Sequence, residues 1–84
     1  MWYVYVLKSL KYDQWYTGMT NDLRRRVIEH NNGKSEYTKY RGPYKIIYYE
    51  ASFNELDARA REKYLKSGAG KRYLKNRLKN FLNI

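Results

Sequence analysis

The segment WYTGMTNDLRRRVIEHNNG, residues 15–33, passes from strand-forming residues into a helical pattern and predicts the centre of the fold. Its opening residues are aromatic and β-branched, which is typical of a strand. Leu23 and Val27 then lie four residues apart, as on one face of a helix, and the Asn-Gly pair at 32–33 is a stop signal. We therefore predict a strand followed by a helix over residues 21–32.

The start of this helix has two candidate caps. Thr20 and Asn21 each carry a side-chain oxygen that can accept a hydrogen bond from the first helical N–H groups. Gly18 lies just before them, and we expect it to let the chain turn from the strand into the helix.

The whole chain is predicted to form three strands and three helices. Turn residues and hydrophobic periodicity predict strands over 2–10, 14–19 and 44–51, and helices over 21–32, from residue 54 or slightly earlier to 66, and over 71–81. The order is ββαβαα, so the predicted fold class is α/β (α+β), with a small three-stranded antiparallel sheet flanked by helices. We expect one domain over residues 1–84.

The second half of the chain carries its own signals. KIIYYE predicts a mostly buried strand, and Ser52 or Asn54 can cap the helix that follows. The sequence SGAG at 67–70 is expected to break that helix. Three apolar residues of the last helix form one stripe: Leu74, Leu78 and Phe81.

Composition indicates an anionic partner. The 84 residues include 18 Lys and Arg against 8 Asp and Glu, a net charge of +10, and 11 tyrosines. Cations hold phosphates and aromatic rings stack on bases, so nucleic acid is the first candidate, although strand packing explains most tyrosines equally well. The absence of cysteine and of any long apolar run predicts a soluble cytoplasmic protein without a membrane segment.

The three consecutive arginines at 24–26 do not share one direction. On a helix, Arg26 and His30 lie four apart and flank the stripe of Leu23 and Val27, whereas Arg24 and Arg25 point elsewhere. A solvated helix face, with Arg25 paired to Glu29, explains the charge run without any function. A histidine bonded to a nearby carbonyl likewise explains His30.

Read together, VYVL at 4–7, YTG at 16–18, Arg26, His30 and Glu62 resemble the GIY-YIG nuclease family. More narrowly, the chain is similar to small single-domain members related to the nuclease domain of the nucleotide-excision repair incision subunit. The likeness covers nearly the entire chain. Two positions depart from the motifs, since Tyr3 replaces a glycine and Thr17 replaces an aliphatic residue, and Asn76 is an insecure match to the family's late asparagine.

The resemblance implies a divalent-metal-dependent endonuclease that hydrolyses phosphodiester bonds in DNA, with a role in DNA repair. It implies that Tyr16 is the general base, that Arg26 binds the phosphate, and that Glu62 holds one Mg²⁺ or Mn²⁺ ion. Tyr5 and His30 would orient water, phosphate or the tyrosine hydroxyl. From the residues alone, Glu62 is equally an ordinary helix partner of Lys66 or Arg59, and Tyr16 a packed strand tyrosine.

Further basic residues are expected to contact the nucleic-acid backbone without reading its sequence. They are Lys34, Lys39, Arg41, Lys71, Arg72 and Lys75. The substrate class stays open between duplex, branched or damaged DNA and RNA, and the oligomeric state stays open, a monomer included. The alternatives to an enzyme are a non-catalytic nucleic-acid-binding module on the same scaffold and a protein-interaction domain.

Overall fold

The computed structural model describes residues 1–83 and confirms the predicted order of elements, except that the last helix, expected over 71–81, is divided into two. The elements are β1 (Trp2–Ser9), β2 (Trp15–Thr20), α1 (Leu23–Asn31), β3 (Tyr44–Ser52), α2 (Glu55–Lys66), α3 (Gly68–Arg77) and a short α4 (Lys79–Leu82). The three strands form one antiparallel sheet in the order β2-β1-β3, so β1 is central. None of the helices within residues 1–83 is long and apolar enough to cross a membrane.

Helices pack on both faces of this sheet. Because successive strand residues point to opposite faces, Val4 and Val6 pack with α2 and α3, while Tyr5 and Leu7 point towards α1. The first core cluster adds Ala58, Leu65 and Leu74, and the second adds Tyr44 with the partly buried Tyr16, Leu23, Val27 and Ile46. The residues that resemble a tyrosine motif therefore lie between the sheet and α1.

The predicted start of α1 was wrong. Asp22 is the cap, and its side-chain Oδ1 accepts from the backbone N–H of Arg25 at 3.1 Å. Thr20 is still the last residue of β2, and its hydroxyl accepts from the N–H of Asp22. Gly18 does not turn the chain either, because it lies buried within β2, directly opposite Tyr5 of β1.

The second half of the chain differs from the sequence-based prediction in three details. Only Tyr44 of β3 is fully buried, because this strand lies at the edge of the sheet. Asn54 is the cap of α2, and Ser67 alone separates α2 from α3, which begins three residues earlier than expected. Phe81 is 55% exposed in α4 and is not part of the core stripe.

Candidate active site

Two tyrosines and a histidine meet on the α1 face of the sheet. In the register of β1 and β2, Tyr5 lies opposite Gly18 and Tyr16 lies opposite Leu7, so both rings project to this face. The ring of His30, from the end of α1, is 5.8 Å from that of Tyr5 and 4.9 Å from that of Tyr16. The hairpin and α1 thus bring together the residues of the two tyrosine motifs and His30.

His30 is closed off from solvent, with 1% of its surface exposed. Its Nε2 lies 2.8 Å from the hydroxyl of Tyr5, and its Nδ1 lies 2.7 Å from Oγ1 of Thr38. Burial and the nearby Arg26 cation lower the pKa of His30 to about 4, against a smaller opposing effect of Glu29. The imidazole is therefore neutral at pH 7, with one nitrogen that donates and one that accepts.

Arg26 lies beside both phenols. Its Nη1 donates to Oε1 of Glu29 at 3.1 Å, a pair that sequence spacing had assigned to Arg25 alone; the Arg25 pair is longer, at 3.9 Å. Although burial lowers the pKa of Arg26, its hydrogen bond to Glu29 and its proximity to Tyr5 and Tyr16 raise it overall. A permanently charged guanidinium on this spot can stabilise negative charge on a phenol or on a bound phosphate.

Tyr5 is a neutral phenol in this environment. Burial first, then the neighbouring Tyr16, raises its pKa to about 12, while Arg26 opposes that change. Only 1% of the residue is exposed. Tyr16 is partly exposed instead, and the ring of Tyr37 lies 5.4 Å from its ring. Tyr16 is thus the phenol that a water molecule can reach.

Glu62 lies on α2, which packs on the face of the sheet opposite to α1. It lies on the inward side of that helix between Ala58 and Leu65, and its carboxylate is close enough to Tyr5 to contribute to the raised pKa of the phenol. Its side chain is 20% exposed and pairs with Lys66 at 3.1 Å, whereas Arg59 pairs with Glu55. The expected ion pair with Lys66 is confirmed.

The donor set for a metal ion is small. Residues 1–83 contain no group of three or more acidic, histidine or cysteine side chains that could hold an ion. A lone, partly exposed carboxylate fits Mg²⁺, which keeps several waters and uses one or two protein carboxylates together with substrate phosphate oxygens. Glu62 therefore fits an ion that binds together with the substrate.

The basic residues expected to contact nucleic acid form two groups. Lys34, Lys39 and Arg41 lie in the 34–43 loop next to the tyrosines, where Lys39 pairs with Glu36 and Arg41 stacks on Tyr37. The second group is on α3, and its three members are exposed: Lys71, Arg72 and Lys75. Asn76 is also exposed on α3.

Sequence reasoning did not place Thr38 or Tyr37 at this site. Thr38 is fully buried, with 0% exposure, although it lies in a polar and basic loop. The segment YTKYR carries a signal for tyrosine and cation, but no periodicity identifies which of its side chains points inward. A contact across eight residues of irregular chain is not encoded in local patterns.

Four features together indicate the class of protein domain to which this chain belongs: the three-stranded sheet, the two paired tyrosines, and the arginine and histidine on α1. Residues 1–80 match the GIY-YIG catalytic domain, and the chain belongs to this family. The family is one of nucleases, which agrees with the resemblance of the motifs.

Its relatives are small proteins. The chain is 48% identical over 65 residues to the UPF0213 protein CPE1444 of Clostridium perfringens, a match covering 76% of this chain and 69% of the relative. It is 36% identical over 74 residues to the UPF0213 protein SSP2268 of Staphylococcus saprophyticus, covering 87% and 89%. The solution NMR structure of the UPF0213 protein BH0048 of Bacillus halodurans has 36% identity and a TM-score of 0.54, with 88% of this chain and 82% of that chain covered.

Proposed function

We propose that this protein is a divalent-metal-dependent endonuclease that hydrolyses phosphodiester bonds in DNA. The observation that carries the proposal is the convergence of Tyr5, Tyr16 and His30 beside the Arg26 cation. Membership in a nuclease family supports the same reaction class.

Phosphodiester hydrolysis needs a base for water and donors for the phosphate oxygens. Tyr16 is our candidate base because it is the more accessible phenol, whereas Tyr5 is buried with a pKa of about 12. Arg26 would bind the non-bridging oxygens of the phosphate. His30 and Tyr5 would orient the reacting groups through their hydrogen bond.

Glu62 would hold the divalent ion, Mg²⁺ or Mn²⁺, because it is the partly exposed carboxylate within electrostatic reach of Tyr5. When bound, such an ion supplies charge stabilisation at the phosphate. Lys66 competes for the same carboxylate, so we expect the ion to bind weakly without DNA.

The charge of +10 supports a nucleic-acid substrate. The loop residues Lys34, Lys39 and Arg41 lie on the chain segment that borders Tyr16, so they are the better candidates for phosphate contacts near the reaction. The basic residues on α3 would contact a longer substrate at a distance from the reacting phosphate. Recognition of DNA damage or branches and a function in repair are further proposals that need their own substrates to test.

The test is a nicking assay on supercoiled plasmid with purified protein and Mg²⁺ or Mn²⁺. We expect cleavage that EDTA abolishes and that Glu62→Gln reduces at least about 100-fold, the scale of a lost electrostatic contribution. Glu55→Gln is the matched control, since Glu55 forms a similar pair with Arg59 at 2.9 Å on the same helix. It should leave the rate unchanged.

Equal rates for wild type and Glu62→Gln at high enzyme concentration would contradict the proposal. If the wild type binds DNA in a salt-dependent manner without cleaving plasmid, branched DNA or RNA, the chain is instead a non-catalytic nucleic-acid-binding module. No measurable binding to either polymer at near-physiological salt would indicate a protein-interaction domain.

A further inference from the structure

The 34–43 loop contributes one buried hydroxyl to the site. Thr38 is 0% exposed, and its Oγ1 lies 2.7 Å from Nδ1 of His30. Its backbone is fixed as well, since its N–H donates to the carbonyl of Ser35 and its carbonyl accepts from the N–H of Arg41. A position this closely held fixes the direction of the hydroxyl, and therefore the ring of His30.

Counting the hydrogen-bond donors and acceptors around the His30 ring shows which ring nitrogen carries the proton. Among residues 1–83, the His30 ring is the one hydrogen-bond partner that the structure gives Oγ1 of Thr38. If Nδ1 carried the proton and donated to Thr38, the hydroxyl hydrogen of Thr38 would be buried without an acceptor, which costs about 1–3 kcal/mol. If Thr38 donates to Nδ1, that cost disappears.

The Nε2 side of the His30 ring is compatible with a hydrogen bond that Thr38 donates to Nδ1. With Nδ1 accepting, Nε2 carries the proton and donates to the Tyr5 oxygen at 2.8 Å. The hydroxyl hydrogen of Tyr5 can then point towards the oxygens of Tyr16 and Glu62, two acceptors whose proximity affects its pKa, whereas Arg26 can only donate to the Tyr5 oxygen. Both of these side chains are partly exposed, so a substrate oxygen that binds beside them can also accept that hydrogen.

We propose that Thr38 is a positioning residue that holds His30 in the Nε2–H tautomer, so that Tyr5 directs its own O–H into the site. The chain of donors then runs from Thr38 through His30 to Tyr5 and ends at the substrate. The tautomer is a property of the folded protein, whereas its effect on catalysis rests on the proposed nuclease function.

The tautomer is measured by long-range ¹H–¹⁵N correlation NMR on ¹⁵N-labelled protein at neutral pH. His30 is the single histidine of the chain, so its ring signals are unambiguous. We expect a protonated Nε2 and an unprotonated Nδ1 in the wild type and in Thr38→Ser, which keeps the hydroxyl. Thr38→Val, of similar volume without the hydroxyl, should shift the ring towards Nδ1–H or a mixture.

Ser35→Ala is the control, because Ser35 is buried in the same loop but its side chain makes no bond to His30. It should leave the tautomer unchanged. In the nicking assay, Thr38→Val should lower kcat by about tenfold or more with little change in KM, and Thr38→Ser should restore it, as for other groups that orient a functional histidine.

An Nδ1–H tautomer in the wild type would overturn the proposal, and so would an unchanged tautomer in a folded Thr38→Val protein. If Thr38→Val does not fold, the spectra of the wild type and of Thr38→Ser still test which tautomer His30 adopts. A wild type that cuts no nucleic acid but shows the expected tautomer would contradict the proposed nuclease function alone.

Discussion

The ring of Tyr5 occupies the space where residue 18 would otherwise carry a side chain. A Cβ atom on Gly18 would lie 2.5 Å from Oη and 2.7 Å from Cζ of Tyr5. Real Cβ atoms do not approach other heavy atoms so closely, and Tyr5 is buried and bonded to His30, so it cannot easily move. The glycine of the second tyrosine motif is thus required by the tyrosine of the first.

Gly18→Ala should therefore displace Tyr5 and lower the free energy of unfolding by about 1–3 kcal/mol, as overpacking of a core does. Urea denaturation measures the change. Gly68→Ala is the control, since a Cβ there would meet Arg72 at an ordinary 3.6 Å, and it should leave stability unchanged or raise it by up to about 1 kcal/mol. Equal stability of both variants would contradict the packing argument.

The neutral, buried state of His30 makes stability depend on pH. Its pKa is about 4 in the folded protein, against 6.5 for an unperturbed histidine, because burial and Arg26 disfavour the cation. The unfolded chain binds more protons between these values, so the free energy of unfolding falls as pH falls through this window. The loss approaches about 1.4 kcal/mol per pH unit.

Urea titrations between about pH 5 and 7 measure this slope, in a range above most carboxylate titrations. The groups around His30 are Tyr5, Tyr16, Arg26, Glu29, Thr38 and Tyr44, and Glu29, the one carboxylate among them, makes no hydrogen bond to the ring. His30→Gln should remove the slope. An NMR titration of the single histidine gives the folded-state pKa directly, and a value near 6.5 would contradict the prediction.

Glu50 of β3 and Arg61 of α2 form the ion pair that joins the sheet to the helix carrying Glu62. Arg61 donates through Nε and Nη2 to both carboxylate oxygens at 2.9–3.1 Å, and Tyr48 donates to the same group. Burial opposes ionisation, but these hydrogen bonds lower the pKa of Glu50 overall. Its stabilising contribution is therefore present at neutral pH and lost in acid.

Glu50→Gln should lower the free energy of unfolding by about 1–3 kcal/mol at neutral pH, the range for hydrogen bonds to charged groups. Glu36→Gln is the control because Glu36 is almost fully exposed in its pair with Lys39, and the change there should stay within about 0.5 kcal/mol. Chemical denaturation compares the two. Equal effects would show that the Glu50 pair contributes no more than a surface one.

Local patterns were sufficient for the order of the elements and for identifying which of the three arginines lies near the tyrosines. The four-residue spacing of Leu23 and Val27 defined the inner side of α1, and from this Arg26 and His30 were placed correctly at its edge. What the patterns could not supply is the register between strands. The role of Gly18 depends on its pairing with Tyr5, thirteen residues away, and no local signal contains that pairing.

The same reasoning explains the miss at Thr38. A loop without periodicity gives no inward direction, so a buried threonine among lysines and tyrosines looks like any other polar residue. The cap of α1 was missed for a different reason. Thr20, Asn21 and Asp22 all have suitable side chains, and the length of β2, set by pairing with β1, decides among them.

Arg26 and Arg24 should differ sharply in function. Arg26 lies close enough to Tyr5 and Tyr16 for both phenols to affect its pKa, whereas Arg24 is exposed two residues earlier on α1. Arg26→Ala should lower kcat at least about 100-fold with nearly unchanged affinity for DNA, because we propose that its charge acts on the reacting phosphate. Arg24→Ala should leave kcat unchanged and weaken binding slightly. Nicking rates and fluorescence anisotropy at fixed salt measure the two effects, and equal kcat values would remove Arg26 from the site.

The assignment of the base to Tyr16 gives the last prediction. Tyr16→Phe should lower kcat by about 10²–10⁴-fold, the range for a lost general base, and should abolish the rise of rate with pH that ionisation of a phenol produces. Tyr5→Phe removes the hydrogen bond to His30 but leaves the base, so kcat should fall while the pH profile keeps its shape.

Tyr49→Phe is the control, because Tyr49 is an exposed tyrosine on the same sheet, and it should match the wild type in rate and profile. The opposite pattern, with the pH dependence lost in Tyr5→Phe and kept in Tyr16→Phe, would assign the base to Tyr5. The Arg26 cation and the Nε2–H group of His30 would then have to stabilise the Tyr5 phenolate against its burial.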